Sequence, residues 1–172
     1  MTTLHDPVSI YLVLVTFGLC FVYLFLEYVF NLFFEKHLVH LSKRSIGSVA
    51  VIVFVSFLGY FLVSLIPDIE TSNRLLHMFG GGFLGMMVCF LVVKDSCIHI
   101  TRFQFFVFSF FVVTALGVSN EIMEFVLHRY FGLEFATHVT DTSLDLISNT
   151  IGIIIGSIAF TPFVKNDKLD TQ

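Results

Sequence analysis

Residues 46–66 have the sequence IGSVAVIVFVSFLGYFLVSLI, a run of 21 residues without a charged side chain that is ended by Pro67. A helix needs about 20 consecutive, mostly apolar residues to cross a bilayer, so this stretch predicts a membrane-spanning helix. Four further segments are long and mostly apolar, at residues 8–34, 75–93, 103–128 and 141–160. The sequence therefore predicts an all-α, polytopic membrane protein with five transmembrane helices in a single membrane domain, residues 1–172.

The overall composition supports this fold class. Hydrophobic residues make up 56% of the 172 residues and charged residues only 13%, with a mean hydropathy of +0.92. Soluble domains carry about 25% charged residues, so this chain lacks the polar surface of a water-soluble globule. The net charge of −4 excludes a basic face for nucleic acid. We therefore expect a multi-pass protein of the cell membrane that contacts membrane lipids and no nucleic acid.

The basic residues predict how the helices cross the membrane, because cytoplasmic loops carry an excess of Lys and Arg. Seven of them fall on one side of the predicted helices: Lys36, Lys43, Arg44, Lys94, Arg102, Lys165 and Lys168. Only Arg74 and Arg129 fall on the other side. We therefore predict that the N-terminus is outside and the C-terminus inside.

Three of the predicted helices carry polar side chains at the outer end, at spacings that place each set on one helical face. They are Arg74 and His77 in the third helix, Glu121, Glu124 and His128 in the fourth, and Asp141, Asp145 and Asn149 in the fifth. Ionisable groups inside the bilayer are costly, by about 2.5–3.5 kcal/mol at mid-depth, so these groups need a compensating partner. Glu27 lies toward the inner side, where we expect it to form a hydrogen bond with another helix.

Glycines continue two of these faces toward the inner side. They are Gly81 and Gly85 in the third helix and Gly152 and Gly156 in the fifth. Small residues let helix backbones approach closely in a bilayer, where packing drives association. We predict that these four glycines pack helices together, either within one chain or in contact with a second copy or another membrane protein.

Three kinds of partner would compensate for the acidic groups, and the sequence leaves all three open. One is a divalent metal ion, because carboxylates and imidazoles bind such ions; its candidate ligands are Glu121, Glu124, Asp141, Asp145 and either His77 or His128. Another is a polar lipid headgroup or an amine, with candidate contacts at Arg74, His77, Glu121, Glu124, Asp145 and Asn149. The last is a carboxyl pair that transfers protons.

Structural interpretations of the same residues stay open as well. Glu121 and Glu124 fit the place where a long helix leaves the bilayer. Asp141 fits the N-cap of the fifth helix, and Thr142 and Asp145 fit a capping box. The outer end carries eight acids against two bases, which makes it a locally negative surface that attracts cations and amines.

The run Asn120-Glu121-Ile122-Met123-Glu124, followed by Asp145-x-x-x-Asn149-x-x-Gly152-x-x-x-Gly156, resembles the VanZ-like membrane proteins, which are associated with glycopeptide-antibiotic resistance. His77, at the start of a Gly-rich span, is similar to their histidine. The pair Asp141-Thr142-x-x-Asp145 is closer to the YjdF-type inner-membrane proteins of unknown function. The resemblance covers the third to fifth predicted helices. The family usually has Gln where Glu124 stands, so this chain is the more acidic.

These observations predict a VanZ-like integral membrane protein whose acidic outer-leaflet pocket binds a polar lipid or envelope headgroup, with a divalent cation as the candidate bridge. Whether the protein is an enzyme stays open. The alternative is a metal-dependent membrane hydrolase or transferase that acts on a lipid-linked substrate, with His77 or Glu121 as the general base. A second alternative is a small cation- or proton-coupled transporter.

Overall fold

A computed structural model describes residues 7–33, 43–96, 98–132 and 139–164 of the chain. All the regular secondary structure in these residues is helical. The helices form five rods, each a continuous helical run that is long and apolar enough to span a membrane, which confirms the predicted fold class. The elements are α1 (Pro7–Phe33), α2 (Lys43–Ser64), α3 (Ile69–Leu76), a π-helical segment (His77–Phe83), α4 (Leu84–Asp95), α5 (Arg102–Phe131), α6 (Val139–Phe160) and a short 3₁₀ helix (Thr161–Phe163). Consecutive rods are antiparallel, and the direction in which they cross the membrane stays a prediction.

The third rod is the continuous run of α3, the π-helical segment and α4, and it begins well before the predicted start at residue 75. The reason is local, because Asp68 caps the rod by accepting a hydrogen bond of 2.9 Å from the backbone N–H of Thr71. In the fourth rod, α5 extends to Phe131 and ends at Gly132, whose φ of 67° is the left-handed conformation common after a helix.

The third rod, Ile69–Asp95, is the centre of the bundle, since its α4 part contacts all four of the other rods. One apolar cluster lies between α1, α2 and α4 and includes Leu19, Ile52 and Val88. A second lies between α4, α5 and α6 and includes Phe105 and Ile153. Many Phe and Ile side chains outside these clusters are exposed, as expected for helices that face lipid.

The closest approach between rods joins the π-helical segment to α6. A Cβ added at Gly152 would overlap the backbone carbonyl oxygen of Met78, and one added at Gly82 would lie 2.6 Å from the Cα of Gly152. The two backbones therefore touch without intervening side chains, as small residues allow in membrane helices. This contact fixes the π-helical segment against the middle of α6.

A polar network lies at the opposite end of the bundle, where α1, α2 and the end of α4 meet. Asp95 Oδ2 accepts hydrogen bonds from the hydroxyl of Tyr23, at 2.7 Å, and from that of Ser48, at 2.5 Å. Glu27 Oε1 accepts one of 2.6 Å from Ser45, which confirms the hydrogen bond expected between Glu27 and another helix. We call these five residues the inner network.

Candidate functional site

His77, the first residue of the π-helical segment, lies among three carboxylates of α5 and α6. Its Nδ1 is 3.6 Å from Glu121 Oε1, and its Nε2 is 3.8 Å from Glu124 Oε1 and 3.5 Å from Asp145 Oδ1. All four side chains are buried, and Asp145 is only 1% exposed. We call these four residues the His77 cluster. A widened π turn is a local feature that recurs at functional sites.

The spacing inside the His77 cluster fits an ion better than direct hydrogen bonds. One candidate ligand atom from each residue lies within 4.8 Å of all the others. The nitrogen–oxygen separations of 3.5–3.8 Å exceed the length of an ordinary hydrogen bond. Tetrahedral ligands about 2.1 Å from a zinc ion would lie roughly 3.4 Å apart. The four side chains can therefore close around a metal ion with little movement.

Arg74, one turn before His77 in α3, binds two of the acidic residues of α6. Its Nη2 is 2.5 Å from Asp141 Oδ1, and its Nη1 donates to Asp145 Oδ1 and to the backbone carbonyl of Asp141. Asn73 donates a further bond of 3.3 Å to Asp145 Oδ1. Asp141 thus pairs with Arg74 beside the His77 cluster and does not face His77.

Two polar neighbours contact the carboxylates of α5. Asn120 Nδ2 donates a hydrogen bond of 2.7 Å to Glu124 Oε1, and Thr142 bonds to the carboxylate of Glu121. Oε1 of Glu121 is buried and has no hydrogen-bond partner. Buried polar atoms nearly always have a partner, so this oxygen marks a place for a proton, an ion or a ligand.

The charges of the site do not balance. Glu121, Glu124, Asp141 and Asp145 bring four carboxyl groups, and Arg74 is the guanidinium that the structure places among them. An excess of negative charge therefore persists even when His77 is protonated. Burying unpaired charge is expensive, so protons or a cation must bind here.

Asn149, one turn below Asp145, lies between two glycines. A Cβ added at Gly81 would overlap the amide oxygen of Asn149, and one added at Gly117 would lie 3.1 Å from its amide nitrogen. Asn149 is 4% exposed, and neither polar atom of its side chain has a hydrogen-bond partner. The glycines therefore make room for a polar side chain that is itself left open to a ligand.

The other glycines predicted to pack helices also lie at contacts between rods. A Cβ added at Gly85 would lie 2.7 Å from Val113 Cγ1 of α5, and one at Gly156 would lie 2.6 Å from Met86 Cβ of α4. Together with Gly81 and Gly152, they occupy contacts inside this chain.

Some sequence-based expectations differ from the structure. His128, proposed as a metal ligand, is exposed and lies outside the His77 cluster. It lies one turn beyond Glu124, close to the end of α5 at Phe131. α6 already begins at Val139, so Asp141 and Thr142 lie within the helix and not at its cap. The roles of Asn73 and Asn120 were missed, although the i, i+4 spacing of Asn120 and Glu124 could have indicated their hydrogen bond.

The family comparison agrees with this architecture. Residues 5–166 match a family described as predicted membrane protein (DUF2238). The chain belongs to this family. No curated protein and no solved structure gives a significant match. A multi-pass membrane protein is thus shown by both the fold and the family.

Proposed function

We propose that this protein binds a divalent metal ion in the His77 cluster and uses the ion to hold a polar lipid or envelope headgroup at the predicted outer leaflet. The observation that carries the proposal is the meeting of four buried ligand atoms from three rods within 4.8 Å of one another. Their excess negative charge supports a cation, and the unpartnered Oε1 of Glu121 supports a site that is completed by a ligand.

The two ring nitrogens of His77 suggest how the ligands divide their roles. Nε2 faces Glu124 and Asp145, so these three groups are the proposed metal ligands. Nδ1 faces Glu121, and a metal-bound histidine usually donates its other ring N–H to a carboxylate. A metal with three protein ligands keeps a coordination position free, where a headgroup oxygen can bind.

The ligand types favour zinc or manganese. Mg²⁺ and Ca²⁺ are bound mainly by oxygen ligands, whereas an imidazole nitrogen beside carboxylates suits zinc and other transition metals. Arg74 and Asn73 hydrogen bond to Asp145 and would hold its carboxylate in place for the ion.

The test is the metal content of the detergent-purified protein, measured by plasma mass spectrometry. We expect close to one equivalent in the wild type and almost none in the double variant Glu121→Gln, Asp145→Asn. Glu27→Gln, which neutralises a carboxylate of the inner network, is the matched control and should keep its metal. Wild-type protein that takes up neither zinc nor manganese, even after incubation with each, would contradict the proposal.

The resemblance to VanZ-like and YjdF-type proteins supports an envelope headgroup as the ligand, and the departure at Glu124 supplies a second test. A glutamine at this position cannot offer a negatively charged oxygen. Glu124→Gln, which introduces the residue usual in VanZ-like proteins, should weaken zinc affinity by about 100-fold or more. Unchanged affinity would remove Glu124 from the ligand set.

The unpartnered oxygen of Glu121 also favours a second candidate, a metal-dependent hydrolase or transferase that acts on a lipid-linked substrate. In this version Glu121 is the general base for a metal-activated nucleophile. Turnover of a radiolabelled lipid-linked substrate that is lost in Glu121→Gln, while the metal is retained, would favour the enzyme over the binding protein. A cation- or proton-coupled transporter has less support, because its site would be expected near mid-membrane.

A further inference from the structure

A cavity of about 280 Å³ lies next to the His77 cluster, between α1 and α5. These two helices contact each other through Phe30 and Phe108, whose ring centroids are 5.1 Å apart, toward the end of the bundle that holds the inner network. Nearer His77, residues 12–22 of α1 and residues 116–123 of α5 form opposite walls of the cavity. Most of this wall is apolar, and the cavity is partly open to its surroundings.

Polar atoms without partners interrupt this apolar wall. Thr16 Oγ1 of α1, Ser56 Oγ of α2 and both amide atoms of Asn149 in α6 lack hydrogen-bond partners. All three residues line the cavity and are more than nine-tenths buried. Buried polar atoms normally have a partner, so four such atoms around one cavity indicate that a bound molecule supplies it.

We propose that this cavity binds a lipid with a single apolar chain and an uncharged headgroup of hydroxyl or amide groups, of which a monoacylglycerol is the simplest example. The chain lies between α1 and α5, and the headgroup bonds to Thr16, Ser56 and Asn149 beside the His77 cluster. This inference names the ligand class of the proposed headgroup site and rests on that proposed function.

The size and charge of the site argue for this ligand class. Sites for small molecules usually measure about 300–1,000 Å³, and this cavity of about 280 Å³ is just below that range, which argues for a ligand with one chain over a ligand with two. Apart from His77, the polar side chains that line it carry neutral hydroxyl or amide groups. The neighbouring excess of carboxylates repels a phosphate headgroup, and hydroxyl or amide groups meet no such repulsion.

Two glycines allow the cavity to be filled without disturbing the fold. Gly18 of α1 and Gly80 of the π-helical segment both line it, and a Cβ added at either would meet nothing within 4 Å. Gly47 of α2 has the same open space around an added Cβ but does not line the cavity. Gly80→Leu therefore blocks the cavity, and Gly47→Leu is its matched control.

The chain contains no tryptophan, so a single introduced tryptophan gives an unambiguous fluorescence signal. Phe21→Trp places it in the cavity wall, whereas Phe25→Trp places it on an exposed position of α1 outside the wall. In lipid nanodiscs, we expect a monoacylglycerol brominated in its chain to quench the first variant with saturation and the second only in proportion to its concentration. Equal, unsaturated quenching of both variants overturns the proposal.

The substitutions then test the site itself. In the Phe21→Trp background, Gly80→Leu should weaken the saturable binding by about tenfold or more, since a leucine side chain occupies the space of the lipid chain. Gly47→Leu should leave it unchanged, and Asn149→Leu should weaken it through loss of the headgroup contact. Saturable binding that survives Gly80→Leu overturns the location.

Two further brominated probes test the ligand class, and metal analysis separates this inference from the proposed metal. A lysophosphatidic acid and a diacylglycerol should each bind more weakly than the monoacylglycerol, and tighter binding of either overturns the stated class. Gly80→Leu protein that keeps its metal while losing the lipid supports the proposal, because the substitution then acts on the space for the lipid chain and not on the metal ligands. Lipid binding in wild-type protein that takes up no metal overturns only the metal, and a full complement of metal without lipid binding overturns only this inference.

Discussion

The His77 cluster buries its carboxylates and the inner network half-buries its own, and the carboxylates at the two ends also have different neighbours. In the inner network, Glu27 and Asp95 accept bonds of 2.5–2.7 Å from neutral hydroxyl groups. In the His77 cluster, Glu121, Glu124 and Asp145 lie around one imidazole at 3.5–3.8 Å. The first arrangement joins helices directly, whereas the second leaves a space between its groups.

The neighbours of a carboxylate therefore help to distinguish structural from ligand-binding carboxylates in a membrane protein. A carboxylate that faces donors has its charge solvated by the protein itself. Carboxylates that crowd around one imidazole repel one another, and the bonds from Arg74 and Asn120 offset only part of this repulsion, so a proton or a cation supplies the rest. Burial, distance and the identity of the neighbour all distinguish the two ends of this bundle.

The largest effect is expected where the His77 cluster depends on backbone packing. Gly152→Leu would force α6 away from the carbonyl of Met78 and so separate Asp145 from His77. We expect a loss of about 3 kcal/mol of stability, at the upper end for overpacking, together with loss of metal binding. Thermal unfolding and metal content measure both effects, with Gly47→Leu as the control. A stable, metal-binding Gly152→Leu protein would show that the cluster does not need this contact.

The His77 cluster and the inner network should respond differently when one carboxylate of each is neutralised in metal-free, chelator-treated protein. Glu121→Gln removes repulsion of about 3 kcal/mol between carboxylates within 4.8 Å of each other, at an effective dielectric constant of about 20. It also weakens the bond from Thr142, so the net gain in stability should be about 2 kcal/mol. Glu27→Gln weakens the bond from Ser45 and should lower stability. Opposite shifts of the two melting temperatures are expected. Shifts of the same sign would mean that the carboxylates at the two ends affect the stability of the folded protein in the same way.

A smaller effect is expected from Tyr23→Phe, which removes one hydroxyl donor to Asp95 and leaves the bond from Ser48. The variant should lose about 1.5 kcal/mol of stability, at the lower end for hydrogen bonds to charged groups, because Asp95 keeps the bond from Ser48. Its metal content should equal that of the wild type, because the inner network lies at the opposite end of the bundle. Reduced metal content in a folded Tyr23→Phe protein would show that the inner network influences metal binding in the His77 cluster.

The smallest effect concerns the exposed cap of the third rod. The hydrogen bond from Thr71 lowers the pKa of Asp68 in the folded protein, so the cap stabilises the rod at neutral pH and its contribution is lost as the pH falls through that lowered pKa. Asp68→Ala should therefore lower the melting temperature slightly at neutral pH and not at all in acid. An equal decrease at both pH values would exclude the carboxylate as the cause.

The sequence predicted the five rods because each is about the length of a bilayer span and nearly free of charge. It also placed His77, Glu121, Glu124 and Asp145 at one end, since their helical spacing is visible in a single chain. The pairing of Arg74 with Asp141 was not predicted, because it depends on how two distant helices are rotated against each other.

Other features had even weaker local signals. The π-helical segment packs against α6 through the backbone contact between Gly82 and Gly152, which spacing within one helix cannot show. Asp95 stands beside Lys94 at the end of a rod, where a solvent-exposed charge is the ordinary expectation, and only the tertiary structure places Tyr23 and Ser48 against it. The cavity between α1 and α5 likewise exists only in the assembled bundle.

The pairing of Arg74 with Asp141 and Asp145 has a consequence for biosynthesis. These partners follow Arg74 by 67 and 71 residues, so the arginine is synthesised long before the acids that neutralise it. A nascent chain that ends after α5 already carries His77, Glu121 and Glu124 but lacks Asp145. The His77 cluster is therefore completed only when α6 is inserted, so any ion that binds all of its groups is captured after that step and not before it.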